Sequence, residues 1–143
     1  HPGLLAVNVY EGDWQSLDDI IGQTPTGSGT AERIDPGPSS RPDHVALQFE
    51  GMIRIPRHGV YTFHLTSDDG SRLYLNRNLT IDNDGRHGNL EKSSPVPLRA
   101  GWHVIRVEWF NGTGDRNLQV EWEGPGLSRR HLRSTDLGTD HEL

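Results

Sequence analysis

The run from Gly59 to Leu75 constrains the fold most tightly. Tyr61, Phe63 and Leu65 alternate with Thr62, His64 and Thr66, and the alternation resumes at Leu73 and Leu75 after Ser67-Asp68-Asp69-Gly70. A period of two puts the apolar set on one face of a strand and the polar set on the other, the pattern of a half-buried antiparallel sheet. The four intervening residues read as a turn at the end of a strand pair, where side chains reach solvent. Adjacent aspartates repel each other there, and no cationic neighbour comes before Arg72. Such a pair invites solvent, or a hard cation such as calcium that takes oxygen ligands. The same residues also suit a plain tight turn, because Asp and Gly tolerate the backbone angles turns require. Local chemistry leaves both readings open.

Three stretches carry more than periodicity: Tyr61 to Asn76, with Ser67-Asp-Asp-Gly-Ser-Arg-Leu-Tyr-Leu75 inside it; Ile81-Asp-Asn-Asp-Gly-Arg-His-Gly88; and Ala100-Gly-Trp-His-Val-Ile-Arg-Val-Glu-Trp-Phe-Asn111. In these words the chain resembles the PA-14 domain, the module named after protective antigen. A weaker likeness at Leu5 to Tyr10 and at Gly124-Pro125-Gly126 extends the resemblance over nearly the whole chain. It implies an all-β fold, an antiparallel β-sandwich or barrel of PA-14 type with long binding loops. In the carbohydrate-binding branch, which includes fungal flocculins and adhesins and bacterial surface proteins, a cis-linked aspartate pair holds a Ca2+ ion and the ion holds vicinal sugar hydroxyls. Asp68 and Asp69 match that pair. A second loop after a late strand contributes an Asn side chain and backbone carbonyls, and Asn111-Gly-Thr-Gly-Asp-Arg-Asn117 stands in its place. The resemblance thus implies Asp68, Asp69, Asn111, Thr113 and Asp115 as metal ligands. Asp68, Asp69, Asn111, Arg116, Asn117, Asp84 and His87 are the implied ligand-binding set. The late loop lacks the aromatic side chain that adhesin-type loops often carry.

The chain is expected to be a single domain over residues 1–143, with loose ends at 1–3 and about 134–143. Hydrophobic content of 31% beside 17 Gly and 9 Pro argues for short strands and elaborate loops. A formal net charge of −6 without a Lys/Arg run speaks against nucleic-acid or anionic-membrane binding, since both rest on basic patches. No cysteine is present, which removes disulfides and zinc–thiolate chemistry. No apolar run approaches the roughly 20 residues of a membrane span. A start at His1 rather than Met suggests a piece of a longer precursor. The family resemblance adds a carbohydrate (glycan) partner, covalent membership of a larger protein, and an extracellular, cell-surface or periplasmic location.

Along the chain, Leu4 to Tyr10 reads as a strand, and Trp14 to Ile21 as a short helical turn stopped by Gly22. Residues 22–43 read as a long surface loop. His44 to Ile55 alternates again, and Pro56 to Gly59 is expected to make a hairpin into the central strand. Leu79 to Ile81 is a brief strand. Asp82-Asn-Asp84-Gly begins like a helix-loop-helix calcium loop, but Arg86 and Ser93 stand where that loop needs its fifth and twelfth residues. Asp82 and Asp84 are therefore expected to brace the turn through side-chain-to-backbone hydrogen bonds. Gly101 to Phe110 is apolar on both faces, as in a central sandwich strand, and Leu118, Val120 and Trp122 alternate with an acidic set.

Eight histidines form no His-Glu-x-x-His pattern, and no Gly-x-Ser-x-Gly or phosphate loop occurs. The expectation is a non-catalytic module. Two readings compete: a calcium-dependent, lectin-like module of a larger secreted or surface protein, or a structural accessory module of a secreted enzyme or adhesin without its own ligand. The sequons Asn78-Leu-Thr80 and Asn111-Gly-Thr113 would accept glycans only in a eukaryotic secretory pathway, and the second would block the expected site.

Overall fold

The alternating runs become strands in the computed structural model, which describes residues 4–138. In chain order these are β1 (Leu5–Glu11), β2 (Gly27–Ala31), β3 (Val45–Ile55), β4 (Gly59–Asp68), β5 (Ser71–Leu75), β6 (Asn78–Asn83), β7 (Leu90–Leu98), β8 (Gly101–Asn111), β9 (Asn117–Gly124), β10 (Leu127–His131) and β11 (Leu137–Gly138). They form two antiparallel sheets. The larger runs β2-β1-β3-β8-β5-β6 with β11 also on β3, and the smaller runs β10-β9-β4-β7. The expected all-β sandwich is what the chain forms.

Both inner faces supply the core. Tyr61, Phe63, Leu65, Val120 and Trp122 of the smaller sheet meet Phe49, Ile53, Leu73, Val107 and Trp109 of the larger. Tyr61 stacks on Trp122 with ring centroids 5.5 Å apart, and its hydroxyl donates to the Arg57 carbonyl at 2.6 Å. The expectation of cover on both faces of β8 also holds. Phe110, on its outer side, is buried under Tyr10, Leu17, Ile20, Ala46 and Trp14. That cover is a 3-10 helix, Leu17–Ile20, capped by Ser16 and followed by Gly22 at φ 81°.

Four expectations need correction. β2 lies inside the stretch read as loop: its Gly, Ser and Thr give no apolar alternation, yet its backbone pairs with β1 from Leu5 to Val9. Pro56 to Gly59 is not a hairpin, because β3 and β4 belong to different sheets. The Ser67 to Gly70 turn likewise crosses between sheets, from β4 to β5, rather than closing a strand pair. The C-terminal stretch is ordered as far as Gly138, with a 3-10 turn at Ser134–Asp136 and β11 on β3. The expected loose ends 1–3 and 139–143 lie outside the described residues. Among the described residues, no helix is long and apolar enough to cross a membrane.

Trp122 is 1% exposed and packs on both Tyr61 and Phe63. Trp122→Ala should cost about 3–5 kcal/mol, read as a lower midpoint with an unchanged slope in urea denaturation.

Candidate functional site

The two aspartates sit where the chain leaves one sheet for the other. Asp68 ends β4 and is partly buried, Asp69 is 9% exposed, and the peptide bond between them is cis. The end of β8 holds this turn through main-chain bonds: Asp69 N–H donates to the Phe110 carbonyl at 3.2 Å, and Phe110 N–H to the Gly70 carbonyl at 3.1 Å. The Trp109 indole N–H donates to the Asp68 carbonyl at 3.0 Å. From the second loop, Gly112 N–H donates to Asp69 Oδ2 at 2.8 Å. The two segments that the sequence separates by some forty residues are therefore bonded directly.

A buried polar knot lies beneath the turn. Ser67 and Ser71 share a hydrogen bond of 2.6 Å, and the amide of Asn83 donates to the Leu65 and Leu90 carbonyls at 3.3 and 2.9 Å. All three side chains are fully buried. Gly70 has no room for a side chain: a Cβ there would stand 2.6 Å from Gly85 N, 2.7 Å from a Phe110 ring carbon and 2.8 Å from the Gly85 carbonyl.

Asn111 is fully buried at the end of β8. Its Nδ2 donates to the Pro42 carbonyl at 2.7 Å, while its Oδ1 is buried without a hydrogen-bond partner. A buried amide oxygen without a donor costs roughly 1–3 kcal/mol, and it is the kind of neutral oxygen that calcium accepts. Thr113, Asp115 and Arg116 lie exposed on the loop that follows. Asn117 opens β9 opposite Asp68 in the strand register, and its amide donates to Asn89 Oδ1 at 2.8 Å.

Burial holds the Asp68 carboxyl above the usual carboxylate range, and the charges of Asp69 and Asp115 push it the same way, against a smaller opposing effect of His87. Both ring nitrogens of His87 meet carbonyl oxygens, of Asn83 and Gly88, at 2.7 Å. Asp84 has a different task from the expected ligand contact. Its two oxygens accept from the Ser16 hydroxyl at 2.6 Å and Leu17 N–H at 2.9 Å, and Arg72 stands 3.3 Å away, so it anchors the 3-10 helix. Its bracing role was expected, though across the fold rather than within its own turn. Arg86 was not foreseen: its guanidinium borders Gly112 on the side that Asp69 Oδ2 also borders, and it bonds the Trp14 carbonyl and Asp13. Its signal was only its place beside His87 in the Ile81 to Gly88 stretch, which composition does not single out.

Among the described residues, no three His, Cys, Asp or Glu side chains are grouped to hold a metal ion. Calcium also takes amide and carbonyl oxygens. Two carboxylates, the unpartnered Asn111 Oδ1 and the exposed loop oxygens fit such an ion by donor chemistry.

Comparison with known proteins accords with this architecture. The family model described as the PA14 domain matches residues 2–135. The anti-sigma-I factor RsgI3 of Acetivibrio thermocellus is 25% identical over 112 residues, covering 78% of this chain, which spans only 17% of that protein's length. The PA14 sugar-binding domain from an RTX adhesin superposes with a TM-score of 0.80 at 16% identity, covering 97% of this chain and 99% of that one. The epithelial adhesin 9 A domain from Candida glabrata, solved in complex with Galβ1-4GlcNAc, superposes with a TM-score of 0.70 at 10% identity, covering 94% and 89% of the two chains.

Because the raised Asp68 means that its ionised form is disfavoured in the fold, its charge works against stability at neutral pH when no cation is bound. That penalty is absent below the carboxylate range and sets in as pH rises through the folded value. Asp68→Asn should therefore raise the thermal midpoint of the protein in chelator at pH 7, and the gain should vanish by about pH 3, below the ordinary Asp value. Gly70→Ala should instead lower the midpoint at every pH, by about 1–3 kcal/mol of overpacking, since backbone and an aromatic ring surround the site.

Proposed function

The chain belongs to the PA14 domain family, and from that premise we propose that it is a carbohydrate-binding module whose sugar is held through Ca2+ at the Asp68–Asp69 turn. The observation that carries the reading is the buried, unpartnered Oδ1 of Asn111, on the strand whose end is bonded to the aspartate pair. Asp68 and Asp69 supply the charged oxygens and Asn111 a neutral one. Bound calcium would supply open coordination positions that two neighbouring hydroxyls of a sugar can fill. Thr113, Asp115 and Arg116 lie exposed on the loop that follows Asn111, where a ligand held at the turn can reach them, and Asn117 stands opposite Asp68 in the strand register. The module binds and performs no chemistry.

Sugar-binding and adhesin domains of the same fold support a glycan partner and an extracellular or cell-surface setting. The likeness to an anti-sigma-I factor favours a second use of the same site, in a regulatory protein rather than an adhesin. Both uses share the binding step.

Calorimetric titration should give one calcium site, and calcium at about 100 times its Kd should stabilise the fold by about 2.7 kcal/mol. Asp69→Asn and Asn111→Ala should each weaken calcium at least tenfold. Asn111→Ala should also cost about 1–3 kcal/mol, because the Pro42 carbonyl loses its donor. Asp82→Asn, at an exposed partner of Arg72, should leave calcium binding intact. On a glycan array the signal should disappear with chelator. Sugar binding that persists in chelator removes the ion from the mechanism, and an array without any signal leaves the accessory-module reading.

A further inference from the structure

A cavity of about 500 Å³ opens on the flank of the smaller sheet, between the 32–36 loop, the first half of β9 and the 131–134 segment. It exists because β10 stops short. β10 pairs with β9 only from Glu121 to Gly124, and the last bond on that side runs from Leu132 N–H to the Val120 carbonyl at 3.1 Å. Asn117 to Gln119 therefore pair with β4 on one side and face the cavity on the other. Asn117 belongs to both places. It lines the cavity, and it stands opposite Asp68 in the β4–β9 register.

The lining is chemically mixed. Leu118, Val120 and Leu132, each at most 9% exposed, lie behind the cavity as part of the core, and half-buried Pro36 offers apolar surface at its side. Gln119, Arg133 and Ser134 are exposed beside it. Glu32 and Asp35 accompany Arg33 and Arg133, so the charges cancel and no ionic ligand is favoured. A volume of this size lies inside the range of about 300–1,000 Å³ typical of small-molecule sites. Apolar surface flanked by neutral and balanced polar groups suits a ligand that alternates C–H faces with hydroxyls.

A sugar gripped by two hydroxyls directs its remaining bonds away from the ion. Asn117, paired with Asp68 in the register and lining the cavity, is the residue that links the two places. We infer that the cavity is a subsite for the further residues of a neutral oligosaccharide whose end residue is bound at the Asp68–Asp69 turn, an inference that rests on the calcium-dependent glycan reading. It makes the preferred ligand an oligosaccharide rather than a single sugar. Apart from Asn117 its lining lies outside the two loops that hold the ion, so it is separable by mutation.

The test measures Kd in calcium for glucose, mannose and galactose, and for the cello-, manno- and galacto-oligosaccharides from two to four residues. The wild-type chain should bind at least one trisaccharide about tenfold or more tighter than its monosaccharide, a difference of about 1.4 kcal/mol. Ser134→Trp, which fills the mouth, and Arg133→Ala, which removes a donor from the wall, should each erase that gain. Both should keep the calcium affinity, the monosaccharide affinity and the thermal midpoint of the parent chain. Equal affinity for every length, or a gain that survives in both variants, overturns the subsite. A length-dependent gain that persists in chelator overturns its link to the ion. Absence of calcium-dependent binding to all probes overturns the glycan reading itself, and this inference with it.

Discussion

The structure depends on the bonds that fasten the Asp68–Asp69 turn to the end of β8. The second half of β8 is covered on both faces, with Trp109 in the sandwich core and Phe110 beneath the 3-10 helix. Its position is therefore determined by packing from both sides. Because Phe110 exchanges main-chain bonds with Asp69 and Gly70, the turn inherits that rigidity. The turn is also the crossing from one sheet to the other, so the bonds that position two carboxylates also join the layers of the sandwich. A loop held rigid before a ligand arrives loses less conformational freedom on binding; at this turn the core supplies the rigidity.

Charge is distributed with corresponding selectivity. Arg72 gathers Asp18, Asp82 and Asp84 into one network, and those contacts hold the guanidinium above its ordinary range. Three acids thereby share one counter-charge, and Asp84 also anchors the 3-10 helix. Asp68 has the opposite surroundings, with Asp69 and Asp115 as neighbours, and its carboxyl is raised. The two sets of aspartates thus differ in whether a counter-charge has already been built in.

What could be read from the sequence follows from which forces leave a local mark. Burial of one strand face leaves an alternation of residues, and so β4, β8 and β9 were legible. Backbone pairing leaves none, which hid β2 in its Gly-Ser-Gly-Thr run. β7 contains Pro95 and Pro97, tolerated because it is an edge strand of its sheet. The change of sheet at residues 56–59 and 67–70 was equally invisible, since a tight turn and a crossover use the same residue types. The site was legible through its family wording at Ser67-Asp-Asp-Gly70, and Asn111 through its place after the late strand. The buried knot of Ser67, Ser71 and Asn83 was not, because three small polar residues signal burial only once their partners are known.

Asn111 also bears on how the chain must be made. Its side chain is sealed at the end of β8 with the amide nitrogen bonded to Pro42. Oligosaccharide transfer to an Asn-Gly-Thr sequence takes place during synthesis, before such a nitrogen is enclosed. A host that modified it would attach a bulky hydrophilic group to an atom that has no outlet in the folded chain, and the modified polypeptides would be diverted from the native state. Yield and activity should therefore differ between bacterial and eukaryotic secretory production for a reason set by a single enclosed nitrogen. Asn78, exposed at the start of β6, could carry the same group without that conflict.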